Sequence, residues 1–377
     1  MSTNLENLRA WAEIDLDALR HNVMYARRLV GPEVKILCSV KADAYGHGLP
    51  QIAGILMQSG VDLFGVANIP EALTIRTIGK GWSVLLLSAV LPTEIKSAVT
   101  NRFSPSLSSF DEARSFNDEA LRQGITLPVH VVVDTGMRRL GFWHETASED
   151  IPQLTEFKNL ELRGLYTHFA SADIDPAFTR IQRQRFLKVR KTLLSQGLDF
   201  PLVHCANSAG LLRGSDNHFN LVRPGLMIYG ASPMSRFRKE LRPALCLKAR
   251  ITFIKDVAKG QSISYGRMFT AKSKMRVATV AIGYGDGYPR QASDRACVLV
   301  GGVLCRQLGR VTMDQIMVDV SKLPAVKTGD EVTLIGKQGN LEITADHLAK
   351  WSDTISYEIF TGITKRVPRI YRGTTAS

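Results

Sequence analysis

A lysine at the end of an apolar run is the first residue of the sequence that is equipped for chemistry. Lys41 follows the strand-like run "ILCSV" at residues 36–40, and Tyr45, Gly46 and Gly48 come soon after it. An amine in this position is either a solvated strand end or a nucleophile held for covalent catalysis. The elements around the lysine distinguish these two possibilities.

Further polar groups stand at the ends of later apolar runs. They are Asp134 with Arg138 and Arg139, then His168, then the turns at 205–208 and 223–225. Together with the lysine they supply an amine, an arginine pair, an imidazole and two turns that suit an anion. In a barrel of parallel strands all of these strand ends lie at one rim, where barrel enzymes carry their catalytic residues.

The residues from about 14 to 230 alternate strand-like and helix-like segments, as a barrel requires. The strand candidates are "VKILCSV", "DLFGVA", "SVLLLS", "FSPSLSS", "LPVHVVVD", "LELRGLYTHF", "PLVHCAN" and "FNLVRPG". Between them lie amphipathic segments such as "LPQIAGILMQSG" and "SFDEARSFNDEALRQG", which are typical of helices. This order predicts a (β/α)₈ barrel. An open, doubly wound sheet is the alternative, and the even strand count and the length disfavour it.

The sequence changes character after residue 239. Short, partly alternating runs such as "ALCLKARITFIKDV" and "DEVTLIGKQG" are separated by Gly, Asp and Pro, which indicates an all-β domain. The "GDG" at 285–287 is interpreted as a hairpin turn. We therefore predict a barrel domain over residues 1–239 and a β-domain over 240–377. The first ~13 residues are expected to add a strand to the β-domain.

The charge balance raises one function class that the motifs do not support. The chain has 48 basic and 35 acidic residues, a net charge of +13, which is compatible with nucleic-acid binding. The densest basic run lies at 179–191, and it is interpreted as the solvated face of a helix. The apolar residues that follow the helical spacing there are Ile181, Phe186, Val189, Leu193 and Leu194. No nucleic-acid partner is expected.

Cysteine usage and the apolar runs indicate a cytoplasmic protein. The five cysteines are scattered and form no CxxC pair, which argues against disulfides and against a zinc site. The first residues show no basic segment followed by an apolar core, so no signal peptide is expected. The most apolar run, "VLLLSAVL", is too short to cross a bilayer. Neither a metal nor a membrane partner is predicted.

The segment "SVKADAYGHG" closely resembles the pyridoxal-phosphate attachment signature of alanine racemases. Further motifs follow in the family's order: "DTGM", "THFA", "ANSAG", "RPGLMIYG", "SYG", "GYGDGYPR", "GRVTMDQ" and "YEI". The matches extend from Lys41 to Tyr357. The resemblance implies the same division into barrel and β-domain, a pyridoxal 5'-phosphate cofactor, and a homodimer with composite active sites. The implied substrate is a small amino acid, alanine.

The resemblance also implies roles for individual residues. Lys41 would attach the cofactor covalently and act as one base, and the partner subunit's Tyr265 would be the second. Arg139 and the backbone N–H of Met313 would bind the substrate carboxylate. The other implied cofactor-binding residues are Tyr45, His168, Ser208, Arg223, Gly225, Leu226 and Tyr357. The residues implied at the entrance are Tyr284, Arg290 and Arg310.

Two bases suit racemisation because a proton leaves one face of the carbon and another arrives on the opposite face. A phenol ordinarily keeps its proton at neutral pH, so the site must favour the phenolate of Tyr265, and His168 and Arg223 are the groups implied nearby. Arg223 would face the pyridine nitrogen of the cofactor. A guanidinium donates a hydrogen bond and keeps its proton, which leaves that nitrogen a weaker electron sink and disfavours side reactions.

Three residues depart from the family pattern. Arg138 stands where the family motif has glycine, and Arg139 is aligned with the functional arginine because a Leu-Gly pair follows it. Val132 replaces a lysine that is often carbamylated and that bridges to this arginine, so Arg139 must be oriented in another way. Thr312 replaces a common cysteine. These changes affect the substrate pocket and not the attachment of the cofactor.

The sequence thus predicts a racemase that interconverts L- and D-alanine and supplies D-alanine for peptidoglycan. A racemase of broader specificity, acting on serine or other amino acids, is the main alternative. A decarboxylase of the same architecture would carry an acidic residue at the pyridine nitrogen, where this chain has Arg223. A non-catalytic pyridoxal-phosphate carrier would lack both the β-domain and Tyr265.

Overall fold

The computed structural model describes residues 7–373. The contacts within the chain define two compact units. The barrel unit comprises Leu19–Ala44 and Leu49–Arg242, and the β unit comprises Met1–Ala18, Tyr45–Gly48 and Pro243–Ser377.

The strands vary in length within both units, and the longest is β11 (Leu245–Val257) in the β unit. In chain order they are β1 Ala10–Asp15, β2 Lys35–Ser39, β3 Leu63–Val66, β4 Val84–Leu86, β5 Ser104–Leu107, β6 Leu127–Asp134, β7 Phe142–Trp143, β8 Leu160–Tyr166, β9 Leu202–His204, β10 Leu221–Val222, β11 Leu245–Val257, β12 Ser262–Ile263, β13 Phe269–Thr270, β14 Met275–Val280, β15 Cys297–Val300, β16 Val303–Leu308, β17 Ile316–Asp319, β18 Glu331–Gln338, β19 Leu341–Ile343 and β20 Arg369–Arg372.

Helices follow most of the barrel strands, and two occur in the β unit. In chain order they are α1 Leu16–Val30, α2 Lys41–Gly46, α3 Leu49–Met57, α4 Ile69–Ile78, α5 Ile95–Thr100, α6 Phe110–Arg122, α7 Ala147–Asp150, α8 Pro176–Ser195, α9 Ser208–Arg213, α10 Ala345–Trp351 and α11 Ser356–Gly362. Short 3₁₀ turns lie at Leu226–Tyr229, Tyr265–Arg267 and Tyr284–Asp286.

Eight parallel strands form a nearly closed barrel, which confirms the predicted fold. The strand order is β10-β2-β3-β4-β5-β6-β8-β9, and β7 is a short addition beside β6. The N–H of Arg223, just after β10, donates to the carbonyl of Ala206, just after β9, at 2.8 Å. The alternative of an open, doubly wound sheet is wrong, because β10 pairs with β2 and the backbone that follows β10 also bonds to the backbone that follows β9. Leucines from five strands pack together in the core: Leu37, Leu63, Leu85, Leu202 and Leu221.

The β unit is built on a separate sheet of nine strands. Their order is β19-β18-β15-β16-β17-β14-β11-β1-β20, and β18 also pairs with β11. The N-terminal strand β1 lies between β11, which is antiparallel to it, and β20, which is parallel to it. The two helices α10 and α11 were not foreseen.

Two sequence interpretations are wrong in detail. "GDG" does not join two paired strands. Its first two residues lie in the 3₁₀ turn at Tyr284–Asp286. The strand before it, β14, pairs with β11 and β17 and not with the following strand β15. In α8, Phe186, Val189 and Leu193 are buried as expected, but Ile181 and Leu194 are exposed. These two residues lie off the 3.6-residue stripe that the buried side chains follow.

The helix α8 is 20 residues long and carries charges along most of its length. In the part of the chain that the structure describes, no helix has both the length and the hydropathy needed to span a bilayer.

Candidate functional site

The polar residues expected at the strand ends do meet at one rim of the barrel. Lys41 lies two residues beyond β2, and His168 lies two residues beyond β8. Arg223 follows β10 directly, and Ser208 begins α9 after β9. Parallel strands bring their carboxyl ends to the same edge, so strand order alone explains this clustering.

Lys41 is half-buried at this rim. Burial lowers the pKa of its amine, the positive charge of Arg139 lowers it further, and the carboxylate of Glu71 opposes the change. A lowered pKa increases the fraction of neutral amine, which is the nucleophilic and basic form. Its partial burial distinguishes Lys41 from a fully solvated strand end, and its part in covalent or base chemistry stays a prediction.

The turn after Lys41 is left-handed. Ala42, Asp43, Ala44 and Tyr45 have φ values of 53–55° and Gly46 has 76°, in the region that ordinary residues avoid. Such a conformation costs about 1–2 kcal/mol for each non-glycine residue, so other contacts must stabilise it. Within the barrel unit, the N–H of Ala44 donates to the carbonyl of Val40. The carboxylate of Asp43 accepts the N–H of Leu49 at 2.7 Å.

Arg223 is a buried cation held by carbonyl and imidazole acceptors. It is 4% exposed, and its Nη2 donates to the carbonyl of Thr167 at 2.9 Å. Its Nη1 lies 2.5 Å from Nδ1 of His204, and Nε2 of His204 lies 2.9 Å from Nδ1 of His130. A guanidinium can only donate, so Nδ1 of His204 accepts and its Nε2 carries the proton that reaches His130.

Both histidines of this chain of hydrogen bonds are neutral. Burial and the nearby Arg223 lower the pKa of His130 to about 3 and lower that of His204 well below its ordinary value. His204 also stacks on Tyr166 with ring centroids 4.7 Å apart. The two histidines therefore orient Arg223 without adding positive charge beside it.

His168 lies beside the same guanidinium. Its Nδ1 is 3.4 Å from Nη2 of Arg223. Burial and the positive charges of Arg223, Arg139 and Lys41 hold the pKa of His168 well below its ordinary value, so its ring is neutral. A neutral imidazole here can accept or donate a hydrogen bond but adds no positive charge to the site.

Ser208 ties the end of β9 to the turn after β10. Its Oγ accepts the N–H of Gly225 at 2.9 Å and that of Met227 at 3.3 Å, which leaves its hydroxyl proton to be donated. The side chain of Asn207 caps α9 by accepting the N–H of Gly210. The amide of Gly225 is thus engaged in this structure, and its contact with a ligand stays a prediction, as does that of the neighbouring Leu226.

Arg139 sits in an exposed loop, and its guanidinium forms no hydrogen bond or ion pair with any residue in the range 7–373. The loop backbone is held by Asp134, whose carboxylate accepts the N–H groups of Gly136 and Arg138. Arg138 has a φ of 57°, and its guanidinium lies 3.4 Å from the centre of the Trp143 ring. Val132 is buried and lines the same small cavity as Arg139, so nothing at that position bridges to the arginine.

The other residues implied by the family motifs lie in the β unit. The rings of Tyr45 and Tyr357 are 5.9 Å apart there. Tyr265 lies in its 3₁₀ turn with 72% of its surface exposed, and Met313 is 53% exposed. The carbonyl of Met313 accepts the N–H of Gly285 at 2.9 Å.

Three residues at the rim or inside the barrel were not predicted as functional: Glu71, His130 and His204. His130 stands alone among valines in "LPVHVVVD", which is a signal for a buried polar contact inside a strand. His204 precedes the polar turn at 205–208 and could have been found by its position. Glu71 carries only the pattern of a helix start, after Asn68 and Pro70.

The rim of the barrel has a positive electrostatic character. Lys41, Arg139 and Arg223 are close enough to influence one another's pKa or that of His168. No carboxylate of the described residues forms an ion pair with any of these three side chains. A buried cation ordinarily has an anionic partner, and Arg223 has no carboxylate partner among the described residues, so the rim suits a ligand that carries negative groups.

Comparison with known proteins agrees with the motifs. The family model "Alanine racemase, N-terminal domain" matches residues 14–233, and "Alanine racemase, C-terminal domain" matches residues 244–371. An alanine racemase of Methylacidiphilum infernorum is 42% identical over 97% of this chain and 93% of its own length. One from Synechocystis is 41% identical over 96% of this chain and 98% of its own.

Solved structures give the same result. An alanine racemase of Clostridium difficile superposes with a TM-score of 0.91 at 36% identity, covering 97% of this chain and 96% of that one. The alanine racemase of Bartonella henselae, solved with covalently bound pyridoxal phosphate, superposes with a TM-score of 0.89 at 30% identity, covering 97% of this chain and all of that one. The chain belongs to the alanine racemase family.

Proposed function

We propose that this racemase interconverts L- and D-alanine with pyridoxal 5'-phosphate attached to Lys41, and that Lys41 and Tyr265 are its two bases. The observation that carries the proposal is the group of three cationic side chains, Lys41, Arg139 and Arg223, at one barrel rim. A cofactor phosphate and a substrate carboxylate are the anions that such a site would bind.

The residues at the rim fit the cofactor. Lys41 has the lowered pKa that covalent attachment to an aldehyde needs. The hydroxyl of Ser208, the backbone of Gly225 and Leu226, and the hydroxyls of Tyr45 and Tyr357 are the proposed phosphate donors. His168 and Arg223 are proposed to contact the ring. When bound, pyridoxal phosphate supplies the electron sink that makes the Cα proton of an amino acid acidic.

Arg223 is proposed to hold the pyridine nitrogen without protonating it. The support is its network: Nη1 donates to a neutral His204 and Nη2 to a backbone carbonyl, so the guanidinium is fixed as a donor. A guanidinium keeps its proton in proteins. This arrangement favours return of a proton to the substrate carbon over competing reactions at the cofactor.

The two proposed bases work from opposite faces of the substrate carbon. Nζ of Lys41 takes or returns the proton on one face, and Oη of the partner's Tyr265 does so on the other. The exposure of Tyr265 within its own chain, 72%, supports its use by a second subunit. Arg139, with no internal hydrogen-bond partner among the described residues, is proposed to bind the substrate carboxylate together with the backbone N–H of the partner's Met313.

We infer a two-fold homodimer with two composite sites, whose entrances are lined by Tyr284, Arg290 and Arg310. The barrel domain over residues 1–239 would hold the cofactor, and the β-domain over 240–377 would complete the partner's site. The product D-alanine would serve peptidoglycan synthesis in the cytoplasm.

Turnover in deuterated water tests the proposal. With either enantiomer of alanine we expect the opposite enantiomer to appear with deuterium at Cα, because the proton is exchanged at Lys41 or Tyr265. Reduction of the holoenzyme with borohydride, followed by peptide mass spectrometry, should fix the cofactor on Lys41. Label on another lysine, or a protein that stays colourless with the cofactor, would overturn the proposal.

A further inference from the structure

Glu71 joins the ends of two neighbouring barrel strands. It stands in the first turn of α4, and its Oε2 accepts the N–H of Ala67, the residue after β3, at 2.9 Å. Its Oε1 accepts the N–H of Ala42, the residue after Lys41, at 2.7 Å. One carboxylate therefore fixes the backbone beside Lys41 to the backbone that follows the next strand.

This arrangement differs from ordinary helix capping. In a capping box the third residue of the helix binds back to the N-cap residue. Here Asn68 is the N-cap and accepts the N–H of Glu71 at 2.9 Å, but the carboxylate of Glu71 also accepts the N–H of Ala42, in the turn that follows β2.

The chain contains a matched case that lacks the second bond. Glu112 occupies the same position in α6, where Ser109 is the N-cap and the N–H of Ser108, the residue after β5, donates to Oε2 of Glu112 at 2.7 Å. All of the backbone bonds that Glu112 accepts come from the loop that precedes its own helix. The two glutamates thus share a structural role, and only Glu71 contacts the segment that carries the lysine.

The bond to Ala42 matters because of the strain in the left-handed turn. The first N–H groups of a helical turn have no acceptor inside it, and Ala42 is the first residue of the turn with a positive φ. A charged acceptor makes a stronger hydrogen bond than a neutral one. Glu71 therefore stabilises the left-handed turn at its first residue, Ala42, which follows Lys41 directly in the chain.

We propose that Glu71 is a positioning residue that holds the left-handed turn and thereby sets the place and the electrostatic surroundings of Nζ of Lys41. The charged and titratable groups that face this amine are Glu71, Arg139 and His168. Glu71 carries the negative charge of this set. The inference rests on the proposed function of Lys41.

Two measurements on Glu71→Gln and Glu71→Ala test it, with Glu112→Gln as the matched control. In protein without cofactor, backbone hydrogen exchange of the peptide that covers residues 40–46 should speed up by at least about tenfold in Glu71→Ala, since a charged acceptor makes a stronger hydrogen bond than a neutral one. Glu112→Gln should leave this peptide at the wild-type rate. Glu71→Gln keeps one acceptor oxygen and should lie between them.

In the holoenzyme, pH titration of the cofactor absorption band should give a lower midpoint for Glu71→Gln, because the carboxylate that favours the protonated nitrogen at Lys41 is gone. Glu112→Gln should give the wild-type midpoint. The kcat of Glu71→Ala should fall by about tenfold or more, with little change in KM. If both Glu71 variants match Glu112→Gln in exchange and in midpoint, the inference is overturned while the role of Lys41 stands. A wild-type protein that takes up no cofactor at Lys41 would overturn both.

Discussion

The residues at the barrel rim and those on the β unit differ in how completely their own chain surrounds them. Arg223 is 4% exposed and Ser208 is 3% exposed, and both are fixed by several hydrogen bonds. Tyr265 and Met313 are 72% and 53% exposed. Arg223 and Ser208 are thus preorganised within one chain. The exposure of Tyr265 and Met313 is what the proposed composite site requires.

Removal of Lys41 should have the largest effect. Lys41→Ala loses both the covalent attachment and one base, so racemisation should fall by at least about 10⁴-fold, the upper end for a general base. The visible absorption band of the attached cofactor should also disappear. Near-wild-type turnover in this variant, measured with either enantiomer, would break the assignment of the barrel rim as the site of attachment.

Removal of the exposed phenol should separate attachment from interconversion. In Tyr265→Phe the cofactor should still bind Lys41, while racemisation falls by about 10²–10⁴-fold because one face of the substrate has no base. In deuterated water one enantiomer should still exchange its Cα proton through Lys41 without inverting. Tyr25→Phe, in α1 and outside the rim, serves as the control. Equal racemisation rates for wild type and Tyr265→Phe would contradict the two-base proposal.

Mixing the two inactive variants tests whether the two regions meet across subunits. If Lys41 works with the partner's Tyr265, a mixed dimer of Lys41→Ala and Tyr265→Phe has one intact site and one doubly defective site. Random exchange makes half of the dimers mixed, so about a quarter of the wild-type activity should return. No recovery after proven subunit exchange would show that each chain uses its own tyrosine.

The buried histidines of the barrel predict a loss of stability in mild acid. The pKa of His130 is about 3 in the folded chain, below the ordinary value of roughly 6.5 in the unfolded chain. The unfolded chain therefore binds a proton first as the pH falls, and the free energy of unfolding should decrease below pH ~6.5 by up to about 1.4 kcal/mol per pH unit for this histidine. Urea unfolding from neutral pH down to about pH 5 measures the slope.

His130→Gln should flatten that slope. An unchanged slope in this variant would show that His130 is not the group responsible.

The sequence predicted what is local and missed what depends on distant contacts. The barrel strands and their polar ends follow from periodicity and motif, and Lys41 was found in this way. The left-handed turn after it depends on an acceptor 29 residues further along the chain, Glu71, which no local pattern indicates. The network of His130 and His204 arises only when β6 and β9 come together inside the barrel, so residue type alone did not reveal it.

Substitution of Arg138 should give the smallest effect, because two contributions to the free energy of unfolding oppose each other at this residue. Arg138→Gly relieves a φ of 57°, a gain of about 1–2 kcal/mol, and loses the stack on Trp143, a loss of about 0.5–1 kcal/mol at an exposed site. Glycine also raises the conformational entropy of the unfolded chain, so the free energy of unfolding should change by less than about 1 kcal/mol.

Arg139 keeps its backbone support from Asp134, so KM for alanine should change by less than about threefold. Arg28→Ala, which removes a similar stack on Tyr25 outside the rim, is the control. A tenfold rise in KM for Arg138→Gly alone would mean that the stack, and not the Asp134 turn, orients the carboxylate-binding arginine.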